Sequence, residues 1–154
     1  MTQRLNLTKL VPHVHKAMFA LGDAAMRGLD PALTHLVLLR ASQINRCAFC
    51  IDMHTKDARH LGESEERISL VAAFDEAPGF FSEKERAALA LTEAATVLTD
   101  GFVPDAVYER AAAHFEEQEL AQLIAVIALI NAWNRLNVSA RTEGGHYRPG
   151  MFAR

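Results

Sequence analysis

Two cysteines and a histidine lie close together at Cys47, Cys50 and His54, and these residue types carry thiol redox chemistry. Both cysteines of the protein are in this one stretch. Successive helical residues are about 100° apart, so the three side chains would share one narrow helix face. Ala58 and Leu61 lie on or beside that face, which is therefore expected to border an apolar pocket. A helix N-terminus and a nearby histidine cation both lower the pKa of a thiol. The spacing predicts a pair of reactive thiols beside an imidazole.

Two other interpretations of this stretch stay open. Isolated cysteines are often small buried core residues. The two thiols and the imidazole could also be three ligands of a zinc ion, with His35 or the pair His13 and His15 as the fourth. The chain has no second Cys-x-x-Cys motif, which structural zinc sites usually require. We therefore favour redox chemistry and expect no metal ligands.

Length and charge narrow the class of protein. A chain of 154 residues predicts a single domain, with a core over about 8–140 and a tail over 141–154. The net charge of −3 gives no basic excess, so we expect neither nucleic acid nor an anionic membrane as a partner. The longest apolar stretch, 120–133, is predicted to be too short to cross a bilayer.

The predicted location is the cytoplasm, because the N-terminal apolar run at 17–21 is too short for a signal peptide. Cytoplasmic thiols are kept reduced, so a cysteine pair there is more often catalytic or metal-binding than a structural disulfide.

The pattern of apolar residues predicts an all-α protein of about seven helices, since no segment alternates as a strand. The predicted helices cover 10–28, 32–45, 47–61, a short segment from 64, 82–98, 104–115 and 117–140. Ser82 and Glu85 form a predicted capping box at the start of one helix. The tail from Thr142 is expected to be extended or mobile.

Four side chains raise questions that spacing alone does not answer. Arg40 lies in an apolar helix stripe, so its charged head either reaches water or pairs with a buried carboxylate, and we expect the first. Glu93 lies in an apolar run and would need a partner if buried, with His54, His35 and Arg40 as candidates. Phe49 and Met53 lie off the inner face of the cysteine helix and predict a contact between subunits.

The stretch Arg40-Ala-Ser-Gln-Ile-Asn, Cys47-x-x-Cys50 and His54 resembles the alkylhydroperoxidase D and carboxymuconolactone decarboxylase-like family. The segments 55–59, 87–96 and 128–135 are similar to that family as well. The resemblance implies an all-helical fold that assembles as homotrimers or homohexamers. The redox branch of the family reduces hydroperoxides with the two thiols, and the decarboxylase branch generally lacks them, which favours the redox branch.

The same resemblance implies roles for the individual residues. Cys50 would attack the peroxide, Cys47 would resolve the sulfenic acid as a disulfide, and His54 would relay protons. The family has a relay glutamate twelve residues before the first cysteine, where this chain has His35. We expect His35 to substitute for it, with the carboxylate of Glu93 supplying the missing charge.

The expected function is a thiol-dependent peroxidase for hydroperoxides, reduced by an external dithiol or thiol. No flavin, nicotinamide or haem motif is visible, so no cofactor is expected. The alternatives are a zinc-stabilised or redox-sensing helical protein with little turnover, and an enzyme of the decarboxylase type.

Overall fold

Helices are the only regular secondary structure over residues 2–152, the part of the chain that the computed structural model describes. This confirms the all-α prediction. The eight α-helices of the described chain are Leu7–Leu10 (α1), Pro12–Ala25 (α2), Pro31–Ile44 (α3), Ala48–His60 (α4), Glu65–Leu70 (α5), Glu83–Thr96 (α6), Asp105–Ala112 (α7) and Glu117–Ala140 (α8). A 3₁₀ helix at Val71–Glu76 continues α5.

The start of the chain differs from the single helix predicted over 10–28. The side chain of Asn6 accepts the Lys9 N–H at 2.9 Å and caps the short helix α1, which the sequence analysis did not predict. Pro12 is the first residue of α2 and has no N–H to continue α1, so the chain breaks there. The predicted number of about seven helices is low for this reason.

The helix from residue 82 begins as predicted. The Glu85 N–H donates to Ser82 Oγ at 3.2 Å, and the Ser82 N–H donates to Glu85 Oε2 at 2.7 Å. Both halves of the capping box are therefore present. This helix ends at Thr96, short of the predicted residue 98.

The helix α3 lies at the centre of the fold. Its consecutive residues Leu36, Val37, Leu38 and Leu39 are each at most 2% exposed, so the helix is surrounded on all sides. Leu38 belongs to a core cluster shared with α8, whereas Leu36 and Leu39 belong to a second cluster around the 3₁₀ helix. Because α3 packs into both clusters, its C-terminal end is held in place, and so is the start of the loop that leads to Cys47.

The helix α8 is also a core helix, packed against α2, α3, α4 and α6. The apolar stretch 120–133 is only part of it, and the whole helix of 24 residues is long and apolar enough to cross a membrane by length and composition alone. Half of its most apolar window is buried inside the fold. A core helix of a soluble protein has the same properties, so this feature is weak evidence for a membrane span.

The described tail, 141–152, forms no helix or strand and packs against α4. The Gly145 N–H donates to Asp52 Oδ2 at 2.9 Å. The Lys56 ammonium donates to the Tyr147 carbonyl at 3.0 Å, and Tyr147 is buried. The polar side of α4 thus binds the tail through charged groups that sequence spacing assigns only to solvent.

Candidate active site

The position of the cysteine loop is set by a buried amide network between α3 and α8. Asn45, at the end of α3, donates from Nδ2 to Asn131 Oδ1 at 3.0 Å and to Asn134 Oδ1 at 2.9 Å. Asn134 in turn donates to Ser42 Oγ at 3.1 Å. A buried amide without a hydrogen-bond partner destabilises the folded protein, so this network favours one alignment of α3 against α8. Asn45 and Asn131 belong to two of the segments that resemble the family, the stretch that starts at Arg40 and the segment 128–135.

A left-handed turn at Arg46 leads from this network into the cysteine helix. Arg46 has a φ of 54°, and the Cys47 N–H donates back to the Ser42 carbonyl at 3.0 Å. Cys47 is the N-cap of α4 rather than a residue inside it, and its Sγ accepts the Cys50 N–H at 3.4 Å. The sulfur therefore lies at the positive end of the helix, where a thiolate is stabilised.

Cys47 and Cys50 are joined by a disulfide. Both residues are at most 1% exposed to bulk solvent. Of the two, Cys50 is the residue that lines a cavity of about 380 Å³ between α2, α4 and α8. His54 lines the same cavity one helix turn later, so the predicted common face of Cys50 and His54 agrees with the structure. Ala58 continues it, but Leu61 lies past the end of α4 and is 51% exposed.

Asn137 of α8 also reaches this site. Its Nδ2 donates to Cys50 Sγ at 3.8 Å and to the Trp133 carbonyl at 3.0 Å. A donor aimed at a sulfur favours negative charge on it, so Asn137 is placed to interact with a thiolate at Cys50.

The cavity wall is mostly apolar and aromatic. Trp133 lies against the rings of His15 and Phe19, with centroid distances of 5.1 Å and 5.3 Å. Phe152, from the tail, packs on Phe19 at 5.6 Å and closes this wall. Phe49 and Met53 line the cavity as well. The predicted subunit contact of these two residues is not tested by a single chain.

His54 is buried, and burial lowers its pKa to about 3, with the neighbouring His35 adding a smaller effect in the same direction. The two ring centroids are 5.9 Å apart. Burial also lowers the pKa of His35, although the nearby carboxylate of Asp57 opposes that shift. Both imidazoles are therefore neutral near pH 7 in the disulfide state. The structure thus brings His35 to the cysteine site, next to His54.

A carboxylate close to both histidines comes from α4 itself. One ligating atom each from His35, His54 and Asp57 lie within 4.8 Å of one another. The Tyr147 hydroxyl donates to Asp57 Oδ1 at 2.7 Å, which fixes the carboxylate. Burial raises the pKa of the Tyr147 phenol, and the bond to Asp57 raises it further. Asp57 and Tyr147 are not among the site residues predicted from the sequence. The spacing of three residues from His54 could have indicated Asp57, whereas no local signal indicates Tyr147.

Glu93 lies elsewhere. Its carboxylate accepts from Arg40 Nε at 2.7 Å, and its side chain is 38% exposed. The expectation that the Arg40 head only reaches water is wrong, because the guanidinium is bound by Glu93 and by Gln43. Of the three partners considered for Glu93, the structure selects Arg40 rather than His54 or His35.

The sequence model of the carboxymuconolactone decarboxylase family matches residues 12–94. An uncharacterised Bacillus subtilis protein, YdfG, is 38% identical over 140 residues, which cover 90% of this chain and 95% of YdfG. The solved structure of a protein of unknown function from Agrobacterium tumefaciens, described as a putative antioxidant defence protein AhpD, is 39% identical in sequence and has a TM-score of 0.90. The match covers 95% of this chain and 100% of the Agrobacterium chain.

A more distant structure shares the fold. A peroxidase-related protein of unknown function from Ralstonia eutropha JMP134, with an AhpD core, is 20% identical with a TM-score of 0.78. The match covers 90% of this chain and 74% of that one.

Proposed function

This chain belongs to the carboxymuconolactone decarboxylase family, and we propose that it is a thiol-dependent peroxidase of the family's redox branch. The observation that carries the proposal is the bonded pair Cys47 and Cys50 at the start of α4, with Cys50 on the wall of an apolar cavity. The decarboxylase branch generally lacks such a pair. The name of the Agrobacterium relative points in the same direction.

The first step uses the reduced pair. The Cys50 thiolate attacks one oxygen of a hydroperoxide, a sulfur–oxygen bond forms, and the oxygen–oxygen bond breaks. Cys50 becomes a sulfenic acid, and the leaving alkoxide takes up a proton and departs as an alcohol. The cavity position of Cys50 and the hydrogen bond from Asn137 both favour it as the attacking sulfur.

The second step closes the disulfide. The Cys47 thiolate attacks the sulfur of Cys50, and the sulfenic oxygen leaves as water after taking up a proton. An external dithiol then reduces the disulfide by exchange and is itself oxidised. Such a reductant is available in the cytoplasm, which is the location we propose for the protein.

Both steps need a proton at a leaving oxygen, and His54 is the group placed to deliver it. Its low pKa belongs to the disulfide state, in which neither sulfur is charged. A thiolate at Cys50 would favour the imidazolium, because opposite charges nearby stabilise the charged form. His35 and Asp57 continue the path from His54 toward the tail.

The test is turnover with dithiothreitol as the reductant and hydrogen peroxide, tert-butyl hydroperoxide and cumene hydroperoxide as substrates. Cys50→Ser should abolish turnover. Cys47→Ser should let a sulfenic acid accumulate at Cys50, which dimedone traps and mass spectrometry counts. If peroxide is consumed while both thiols remain titratable, the mechanism is wrong.

Two outcomes would select another function. Oxidation of the pair no faster than that of a free thiol would indicate a redox-sensing protein without significant turnover. Decarboxylation of a carboxymuconolactone by the Cys50→Ser variant would place the chain with the decarboxylases.

A further inference from the structure

We propose that His35, His54 and Asp57 form a binding site for a divalent transition-metal cation, Zn²⁺ in particular, beside the cysteine pair. One ligating atom from each residue lies within 4.8 Å of the other two. Ligand atoms around a tetrahedral zinc are about 3.3–3.6 Å apart, since each bond is about 2.0–2.2 Å long. Side-chain rotations that draw the three atoms closer together would complete the site.

The donor atoms are available. Both ring nitrogens of His54 and Nδ1 of His35 are buried and have no hydrogen-bond partner among the described residues. Such atoms lose hydration without compensation on folding, and a cation would restore a partner to them. Both imidazoles are neutral, which is the form that binds metals.

The carboxylate is held as metal ligands usually are. Tyr147 donates to one oxygen of Asp57 at 2.7 Å and orients the group. Hydrogen bonds of this kind behind a ligand commonly change metal affinity by about 10–100-fold. His54 and Asp57 are three residues apart on α4, and His35 comes from α3, so two rigid helices carry the ligands.

The chemistry of the donors selects the cation. Two imidazoles and one carboxylate suit zinc and its transition-metal neighbours, whereas Mg²⁺ and Ca²⁺ prefer oxygen ligands alone. Three protein ligands leave a position for water, as in zinc sites that are not purely structural. His54 lines the cavity, which gives the ion a path to the site. This ligand set differs from the cysteine-based zinc site considered from the sequence, because the sulfurs are joined in the disulfide.

Bound zinc would also inhibit the enzyme. An imidazole whose lone pair is on zinc cannot accept a proton, so the ion would block the relay at His54. This part of the proposal rests on the proposed function, whereas the binding site itself does not.

The binding test uses the disulfide form of the chelator-treated protein, in which thiolates cannot be ligands. Zn²⁺ is titrated by calorimetry, and Co²⁺ is added as a spectroscopic probe. We expect one equivalent to bind, with the affinity falling by about 10–100-fold in Tyr147→Phe and by more in His35→Leu and in the nearly isosteric Asp57→Asn. His114→Leu is the matched control, because His114 is exposed and distant in sequence.

Absence of stoichiometric binding to the oxidised wild type, or an unchanged affinity in both His35→Leu and Asp57→Asn, would overturn the site. Thermal melts of each variant confirm that it is folded. In the reduced enzyme, zinc should inhibit peroxide turnover at least tenfold more weakly in Asp57→Asn than in wild type. Zinc binding without inhibition of turnover would refute the inhibitory role of zinc. Zinc binding by a protein without peroxidase activity would refute the proposed function but not the metal site.

Discussion

The guanidinium of Arg40 donates from Nε to the carboxylate of Glu93 at 2.7 Å, across the interface between α3 and α6. Glu93 is thereby bound to a cation and partly exposed, with 38% of its side chain accessible. A carboxylate in this position is a poor candidate for moving protons at the cysteine pair, because one of its oxygen atoms, Oε1, is bound by Arg40.

We therefore predict that Glu93→Gln changes peroxide turnover by less than about threefold and lowers the unfolding free energy by at most about 1 kcal/mol, the upper end for exposed ion pairs. Steady-state kinetics and urea unfolding measure the two effects. A loss of about 10²-fold in turnover, the size typical of a lost acid–base group, would instead place Glu93 in the relay.

His35 occupies the position of the family's relay glutamate and lies next to His54. His35→Ala should lower turnover by about 10²-fold if it carries protons. His35→Glu should retain most of the activity, because it restores the family's residue. Wild-type activity in His35→Ala would refute the role, and thermal melts of both variants would separate it from a loss of folding.

Asn137 donates to the sulfur of Cys50 at 3.8 Å. Replacing it with leucine, which has a similar shape and no donor, should slow alkylation of the Cys50 sulfur near neutral pH by up to about tenfold, since a hydrogen bond to a charged group contributes roughly 1.5 kcal/mol. The measurement is the pH dependence of iodoacetamide alkylation in a Cys47→Ser background. An unchanged alkylation profile would show that the amide serves only the helix, through its bond to the Trp133 carbonyl.

The tail approaches α4 so closely at Gly144 that a Cβ there would lie 3.1 Å from the Ala48 carbonyl oxygen. That atom is backbone and cannot rotate away, so Gly144→Ala should displace the tail and lower the unfolding free energy by about 1–3 kcal/mol. Gly79→Ala is the control, because nothing lies within 4 Å of its Cβ position. Proteolysis should cut the tail faster in Gly144→Ala only. Equal cleavage in both variants would contradict the packing described for the tail.

We predict that the protein is a homotrimer or homohexamer, as the family resemblance implies. Leu10, Leu21, Phe80, Leu98 and Phe102 are at least 45% exposed in the single chain, which leaves apolar surface for a partner subunit to cover. Light scattering at micromolar concentration measures the mass. A species of 17.0 kDa would contradict the prediction.

Local patterns predicted much of this protein. The capping box at Ser82, the common face of Cys50 and His54, and the all-helical fold each depend on residues only a few positions apart, where helix geometry decides the outcome. Two details differ from the prediction, since Cys47 caps α4 and the helix ends before Leu61. Neither difference moves the site.

The contacts that the sequence left open or did not indicate join distant segments. Arg40, one of three candidate partners of Glu93, is 53 residues from it, and Asp57 and Tyr147, which no pattern paired, are 90 apart. Charged side chains on a helix surface have many candidate partners, and only the packing of whole helices selects one. For the same reason Glu93, rather than Asp57, was expected to supply the carboxylate near His35.

The amide network behind the cysteine loop has a consequence for how the protein is made. Asn45 precedes its partners Asn131 and Asn134 by 86 and 89 residues. A ribosome therefore completes Cys47 and Cys50 long before it synthesises the helix that holds their loop in place. Until α8 has left the ribosome and docked, the two thiols belong to an unfinished chain in which neither the cavity nor the Asn137 donor exists. Only the nearly complete chain has the arrangement proposed for rapid reaction with peroxide, so a prematurely terminated product would contain the motif without its surroundings.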